Sequence, residues 1–189
     1  MKQPIIRDTK CIIGPVRLSY VHVFHKYSPD GNNEDGKYSA VLIIPKTEKE
    51  TIKAIRQAIE NAKQAGIASK WNGKEPKKFD LPLRDGDEQE NDKNEAFRGC
   101  YYINAKASTR PGVVDREMNP ITDEEEIYSG IYAMASVTFF CYDVSGNKGV
   151  ACGLNNIMKV KDGERLGGRV SAESDFAGLD LNDDDEDDL

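Results

Sequence analysis

Apolar and polar positions alternate with a period of two along several stretches of the chain, the pattern of β-strands that bury one face. The clearest covers residues 98–112. Tyr101, Ile103, Ala105 and Ala107 share one side, which is apolar and tapers to small residues as a core-facing strand does. Cys100, Tyr102, Asn104, Lys106, Ser108 and Arg110 share the other, which interleaves a ring, an amide and two cations. Residues 16–25 alternate again, with Val16, Leu18, Tyr20, His22 and Phe24 opposite Arg17, Ser19, Val21 and Val23. In residues 131–142 Ala133, Ala135, Val137, Phe139 and Cys141 oppose a face that carries Tyr132, Phe140 and Tyr142. Shorter strands are expected at residues 11–13, ended by Gly14-Pro15, at 37–44, stopped by Pro45, and at 150–154, returning from a hairpin turn at 143–149.

One stretch has the helical period instead. Ile52, Ile55, Ile59 and Ala62 fall on one face, with Lys53, Arg56, Glu60 and Lys63 opposite. Thr47-Glu-Lys-Glu50 reads as a capping box that starts this helix. Gly66 reads as its C-cap. Five or six strands with one main helix and long loops predict a mainly β chain, an OB-fold-like barrel of five to six strands. Residues 1–170 are expected to form that domain.

Residues 171–189 cannot bury a core and read as a disordered acidic tail. Charge changes the picture here. The net charge of −7 hides an uneven distribution. Residues 172–189 carry nine acids and no Lys or Arg, so the rest of the chain holds 26 basic against 24 acidic residues. The loop at 84–95 is also acidic, which leaves a basic remainder.

Composition narrows the classes further. No apolar run approaches the ~20 residues of a membrane span, and the N-terminus lacks an apolar signal core, so neither membrane nor secretion is expected. Four cysteines without a Cys-x-x-Cys pair predict reduced thiols in a cytoplasm. Two histidines, His22 and His25, are too few for a standard zinc set, and no cofactor is expected. Asp85, Asp87 and Glu125 are the carboxylates that a metal-dependent nuclease would need, but their spacing fits no two-metal site. A non-enzyme is the expectation; a metal-dependent nuclease and an adaptor that works through its tail without binding nucleic acid are the alternatives.

The strand faces suit a groove for unpaired nucleic acid, where cations follow phosphates and rings stack on bases. Lys106, Arg110, Lys148, Lys159 and Lys161 are candidate phosphate contacts; Arg17 and Asn104 are further candidate binding residues. Tyr20, Phe24, Tyr102, Phe140 and Tyr142 are candidate stacking rings. Trp71, among lysines at residues 70–78, either stacks on bases or anchors its loop to the core.

With those residues laid out, the chain resembles a bacteriophage single-stranded DNA-binding protein family. The resemblance rests on Arg17-Leu-Ser-Tyr20, Lys37-Tyr38-Ser39, Pro82-Leu-Arg-Asp-Gly-Asp87, Tyr102-Ile-Asn-Ala-Lys106, Arg110-Pro111, Ile127-Tyr-Ser-Gly130, Gly146-Asn-Lys-Gly149, Gly153-Leu-Asn-Asn156 and Asp175-Phe176. It covers nearly the whole chain. It implies an OB-fold, non-catalytic binding of single-stranded DNA in phage replication and recombination, and a place in the cytoplasm of an infected bacterium. It leaves a homodimer open. The tail then becomes a device for autoinhibition and for docking replication or recombination proteins, through Phe176, Asp183, Asp184, Asp185, Glu186, Asp187, Asp188 and Leu189.

Overall fold

The computed structural model describes residues 1–88, 95–167 and 176–177. Among these residues, eight strands and one α-helix follow one another as β1 (Ile5–Arg7), β2 (Lys10–Tyr27), β3 (Lys37–Pro45), α1 (Lys49–Ser69), β4 (Leu83–Asp85), β5 (Cys100–Ala107), β6 (Gly112–Val114), β7 (Tyr132–Val144) and β8 (Asn147–Lys161). Five of them close a barrel. β2 pairs with β3, β3 with β5, β7 with β2 and β8 with β7, all antiparallel, and a short parallel pairing of β5 with β8 completes the ring. This is the OB-type arrangement. β1, β4 and β6 are accessory strands added to β2, β5 and β8.

The alternation in β5 and β7 translates directly into burial. Ile103, Ala105, Ala133, Ala135, Val137 and Phe139 point into the barrel and are almost fully buried. β7 turns into β8 through Ser145-Gly146, both at positive φ. Such a two-residue turn matches the right-handed twist of the strands it joins.

β2 departs from the expected pattern. It does not end at Gly14-Pro15 but runs 18 residues, with a bulge between Ile13 and Val16 in its pairing with β7. A second irregularity follows Ser19 in its pairing with β3. An extra residue in a strand reverses which side chains face inward. Val16 and Leu18 therefore lie in the core, but so does Val23, while Tyr20 is turned out to 56 % exposure. The expected single face of Val16, Leu18, Tyr20, His22 and Phe24 is broken for this reason.

α1 lies against β7, β2, β1 and β8 and buries Ile52, Ile55, Ile59 and Ala62 as its period predicts. Its ends differ from expectation. Glu48 is the N-cap and makes no side-chain capping bond, so no capping box forms at Thr47. Gly66 does not end the helix. It sits inside it, where a Cβ would stand 2.7 Å from Cβ of Cys141. Glycine is there for the close approach of helix to strand.

Below the helix, Lys46 ties the start of the acidic loop to the barrel. Its Nζ lies 2.7 Å from carboxylates of both Asp85 and Asp87, and Asp87 also accepts from the Gly99 amide at 2.9 Å. Hydrogen bonding from Lys46 is the main reason that both carboxyls are held below the usual 3.8. Groups with depressed folded values add stability above their unfolded pKa and lose it as pH falls through the folded value. Lys46→Gln is therefore expected to lower the melting temperature at pH 7. The deficit relative to wild type should fade as pH drops well below 3.8, which melts followed by circular dichroism would show.

Candidate nucleic-acid interface

The outward side chains of β3 and β5 form the floor of a cleft of about 780 Å³. Tyr20, His22 and Tyr27 border it from β2; Ser39 and Val41 come from β3, and Tyr102, Asn104 and Lys106 from β5. The loop between β2 and β3 supplies its rim. In an OB barrel this face of the second and third barrel strands, with the loop that joins the first two, is where oligonucleotides bind.

Strand register places the rows of this floor. His22 lies opposite Ser39, which lies opposite Lys106, which lies beside Gly153 of β8. A second cleft of about 480 Å³ begins there, lined by Lys106, Ser108, Arg110, Thr138, Phe140, Gly153 and Asn155 among others. Lys106 thus belongs to both clefts, and Gly153 keeps the ground between them low. A Cβ at Gly153 would sit 3.3 Å from the Thr138 carbonyl oxygen and 3.5 Å from the Phe140 ring. Glycine in a strand interior often marks such a close approach.

The charge is available. Lys37 and Lys106 make no ion pair among the described residues. The Arg110 guanidinium stands 5.2 Å over the Phe24 ring, which holds it at the second cleft without neutralising it. Phe140 is 49 % exposed there. Tyr102 is mostly buried, edge-on to Phe97 at 5.2 Å. It still lines the first cleft.

Of the residues read from the sequence, the first cleft gathers Tyr20, Tyr102, Asn104 and Lys106, and the second gathers Lys106, Phe140 and Arg110, the last over Phe24. The rest lie elsewhere. Trp71 is only 4 % exposed, packed at right angles on Phe79. Its alternative as a base-stacking ring is corrected: it anchors its loop to the body. Lys159 and Lys161 pair with Ala133 and Tyr132 at the far end of β7, about 20–26 Å along the strand from Phe140. There they stand over the Tyr128 and Tyr132 rings, with Lys159 also bound to Asp162 at 2.7 Å. Arg17 joins this group over Tyr132 and donates to the Glu164 carbonyl at 2.7 Å. Lys148 stands 3.8 Å from Asp143 near the β7–β8 turn. Tyr142 donates to the Asp80 carboxylate at 3.3 Å, and burial raises its pKa. None of these five lines either cleft. Lys148, Lys159 and Lys161, read from the sequence as lining one groove with Lys106 and Arg110, thus stand apart from both clefts. In the tail, Phe176 is exposed; Asp183, Asp184, Asp185, Glu186, Asp187, Asp188 and Leu189 lie outside the described residues.

Sequence reasoning missed Tyr27, Lys37, Ser39 and Phe97, and set His22 aside. The signal for Tyr27 was present: an aromatic closing a strand just before a Ser-Pro-Asp-Gly turn. Its placement depends on the bulge, which the sequence does not announce.

Catalytic alternatives find little in the geometry. Asp85 and Asp87 are engaged by Lys46, and Glu125 sits in a separate turn at 124–126. Among the described residues, no three His, Cys, Asp or Glu side chains cluster as metal ligands would. All four cysteines are free thiols, and burial pushes Cys11 up to about 11. No helix among the described residues is long and apolar enough to cross a membrane.

Comparison with known proteins converges on one group. Residues 9–189 match the family model described as Enterobacter phage Enc34, ssDNA-binding protein. The chain is 31 % identical over 188 residues to protein p50 of Acyrthosiphon pisum secondary endosymbiont phage 1, covering 94 % of this chain and 97 % of that protein. The solved single-stranded DNA-binding protein from bacteriophage Enc34 in complex with ssDNA superposes with a TM-score of 0.75 at 26 % identity, over 88 % of this chain and 95 % of that one. The gp2.5 protein of bacteriophage T7 shares the fold, with a TM-score of 0.55 at 16 % identity over 84 % of this chain and 93 % of its own.

Proposed function

The chain belongs to the family of the Enterobacter phage Enc34 ssDNA-binding protein, and from that premise we propose that it holds single-stranded DNA on the outer face of β3 and β5, without regard to sequence. The observation that carries the reading is the pair of clefts joined at Lys106, with unpaired cations and exposed rings on the face where OB barrels take oligonucleotides. Every base offers a π-face, so ring stacking tolerates any sequence. Duplex DNA hides those faces in its own stack. The protein acts without catalysis, in phage replication or recombination inside the bacterial host.

The tail regulates access. Its support is where the described body ends. Residues 162–167 cross the outer face: the Leu166 amide donates to the Ser129 carbonyl at 2.8 Å, and its side chain packs on the cluster of Val41, Ile43, Phe97 and Tyr102. The described body therefore ends beside the first cleft, ahead of the acidic residues. In the free protein they occupy the cationic face as a polyanion. DNA displaces them and leaves them for replication or recombination proteins.

Fluorescence anisotropy with labelled oligo(dT) and a matched duplex, at two salt concentrations, tests both ideas. The full chain should favour the single strand and weaken with salt. Ending the chain after Val170 should tighten binding. Equal affinity for duplex and single strand refutes the binding mode, and unchanged affinity after truncation refutes the tail's role. Trp71 fluorescence is a poor substitute, since that ring is buried in the body.

A further inference from the structure

We infer that Tyr27, backed by His22, is a dedicated base-stacking subsite at the mouth of the first cleft. This rests on the single-strand reading above and adds a subsite to it.

The two rings are parallel, with centroids 4.2 Å apart and planes 7° from each other. They lie five positions apart in sequence. In a regular strand they would point to opposite faces and lie roughly 17 Å apart. They meet because β2 is irregular between them. His22 pairs with Ser39 and Tyr27 with Lys37, so five steps along β2 are matched by only two along β3. Bulges of this kind re-aim side chains next to binding sites. Tyr20, at the preceding irregularity, has φ of +46°, a strained setting for a tyrosine. That conformation turns its ring out to the same cleft.

His22 covers one face of Tyr27. Tyr27 is still 45 % exposed and lines the cleft, which leaves its other face for a base. The loop behind it is already ordered by its own side chains. Ser28 Oγ donates to Asp30 at 2.6 Å, the Asn32 amide to Asp30 at 2.9 Å, and Asn32 Nδ2 to Asp35 at 2.6 Å. A preformed platform spares the ordering cost at binding. Burial lowers the His22 pKa, so the imidazole is neutral at pH 7 and offers a π-face rather than a charge. Lys106 lies two strands from His22, about 10 Å, to take a phosphate.

Stacking and phosphate contact differ in their salt response. Tyr27→Ala should weaken oligo(dT) binding at least about fivefold at every salt concentration and leave the slope of log K against log salt unchanged. Tyr27→Phe should bind like wild type. Lys106→Gln should flatten the slope by about 0.7. A 2-aminopurine in the oligonucleotide should be quenched on binding by wild type and by Tyr27→Phe, and less by Tyr27→Ala. Wild-type affinity in Tyr27→Ala, or an altered slope, overturns the subsite while Lys106→Gln still shows the underlying binding. If wild type itself ignores oligo(dT), the single-strand reading fails, and the subsite falls with it.

Discussion

Neutralising Lys106 and Arg110 together should weaken oligo(dT) binding about 25-fold at 0.1 M salt. The figure follows from counterion release. For single strands, log K falls by roughly 0.7 per phosphate contact for each decade of salt. At 0.1 M each contact is then worth about fivefold, and two are worth about 25-fold. Lys106 and Arg110 are suitable because they share the second cleft and have no acidic partner among the described residues. Arg110 rests over Phe24, so the double variant Lys106→Gln, Arg110→Gln should first be shown to melt close to wild type. The salt slope should then drop by about 1.4. The matching substitutions at Lys159 and Lys161 should change it less, since those side chains lie over tyrosines at the other end of β7. A slope unchanged by the first pair would show that phosphates do not pass Lys106.

Two neighbouring phenylalanines should give opposite phenotypes. Phe139→Ala should cost about 3–5 kcal/mol of stability, as the loss of a large buried aromatic does. Phe139 is 1 % exposed and belongs to the barrel core, with Cys152 opposite it on β8. Folded domains are stable by only about 5–15 kcal/mol, so the variant should melt lower by on the order of 10 °C. Phe140 points the other way, 49 % exposed in the second cleft. Phe140→Ala should stay within about 0.5 kcal/mol of wild type and instead lose affinity for single-stranded DNA. Paired calorimetric melts and anisotropy titrations separate the two effects. Equal melting shifts in both variants would overturn the assignment of faces on β7.

The contrast between these two residues shows what was readable in advance. A period of two is enough to say that Phe139 and Phe140 face opposite ways. Hydrophobicity is enough to say which of the strand's two faces is the core, because Phe139 shares its side with Ala133, Ala135 and Val137. The same reading held for Lys106 against Ile103 and Ala105 in β5. It failed in β2, where bulges reverse the parity and leave no trace in composition. It left Trp71 open, since a ring among lysines reads alike whether it faces solvent or its own hydrophobic body. Thr47 failed as a cap because local hydrogen-bonding chemistry only suggests where a helix can start; packing of α1 against the barrel sets its true first turn.

The order of residues was sufficient for the strands, the apolar face of the helix, the barrel class and the split between basic body and acidic tail. All are local or additive properties, set by neighbours a few positions apart or by simple charge. The folded chain alone decided that Lys106 serves two clefts, that Arg17, Lys159 and Lys161 form a separate group around two tyrosines, and that Tyr27 meets His22. Those facts depend on barrel closure, strand register and bulges. Each brings together residues whose separation in sequence says nothing of their distance in space.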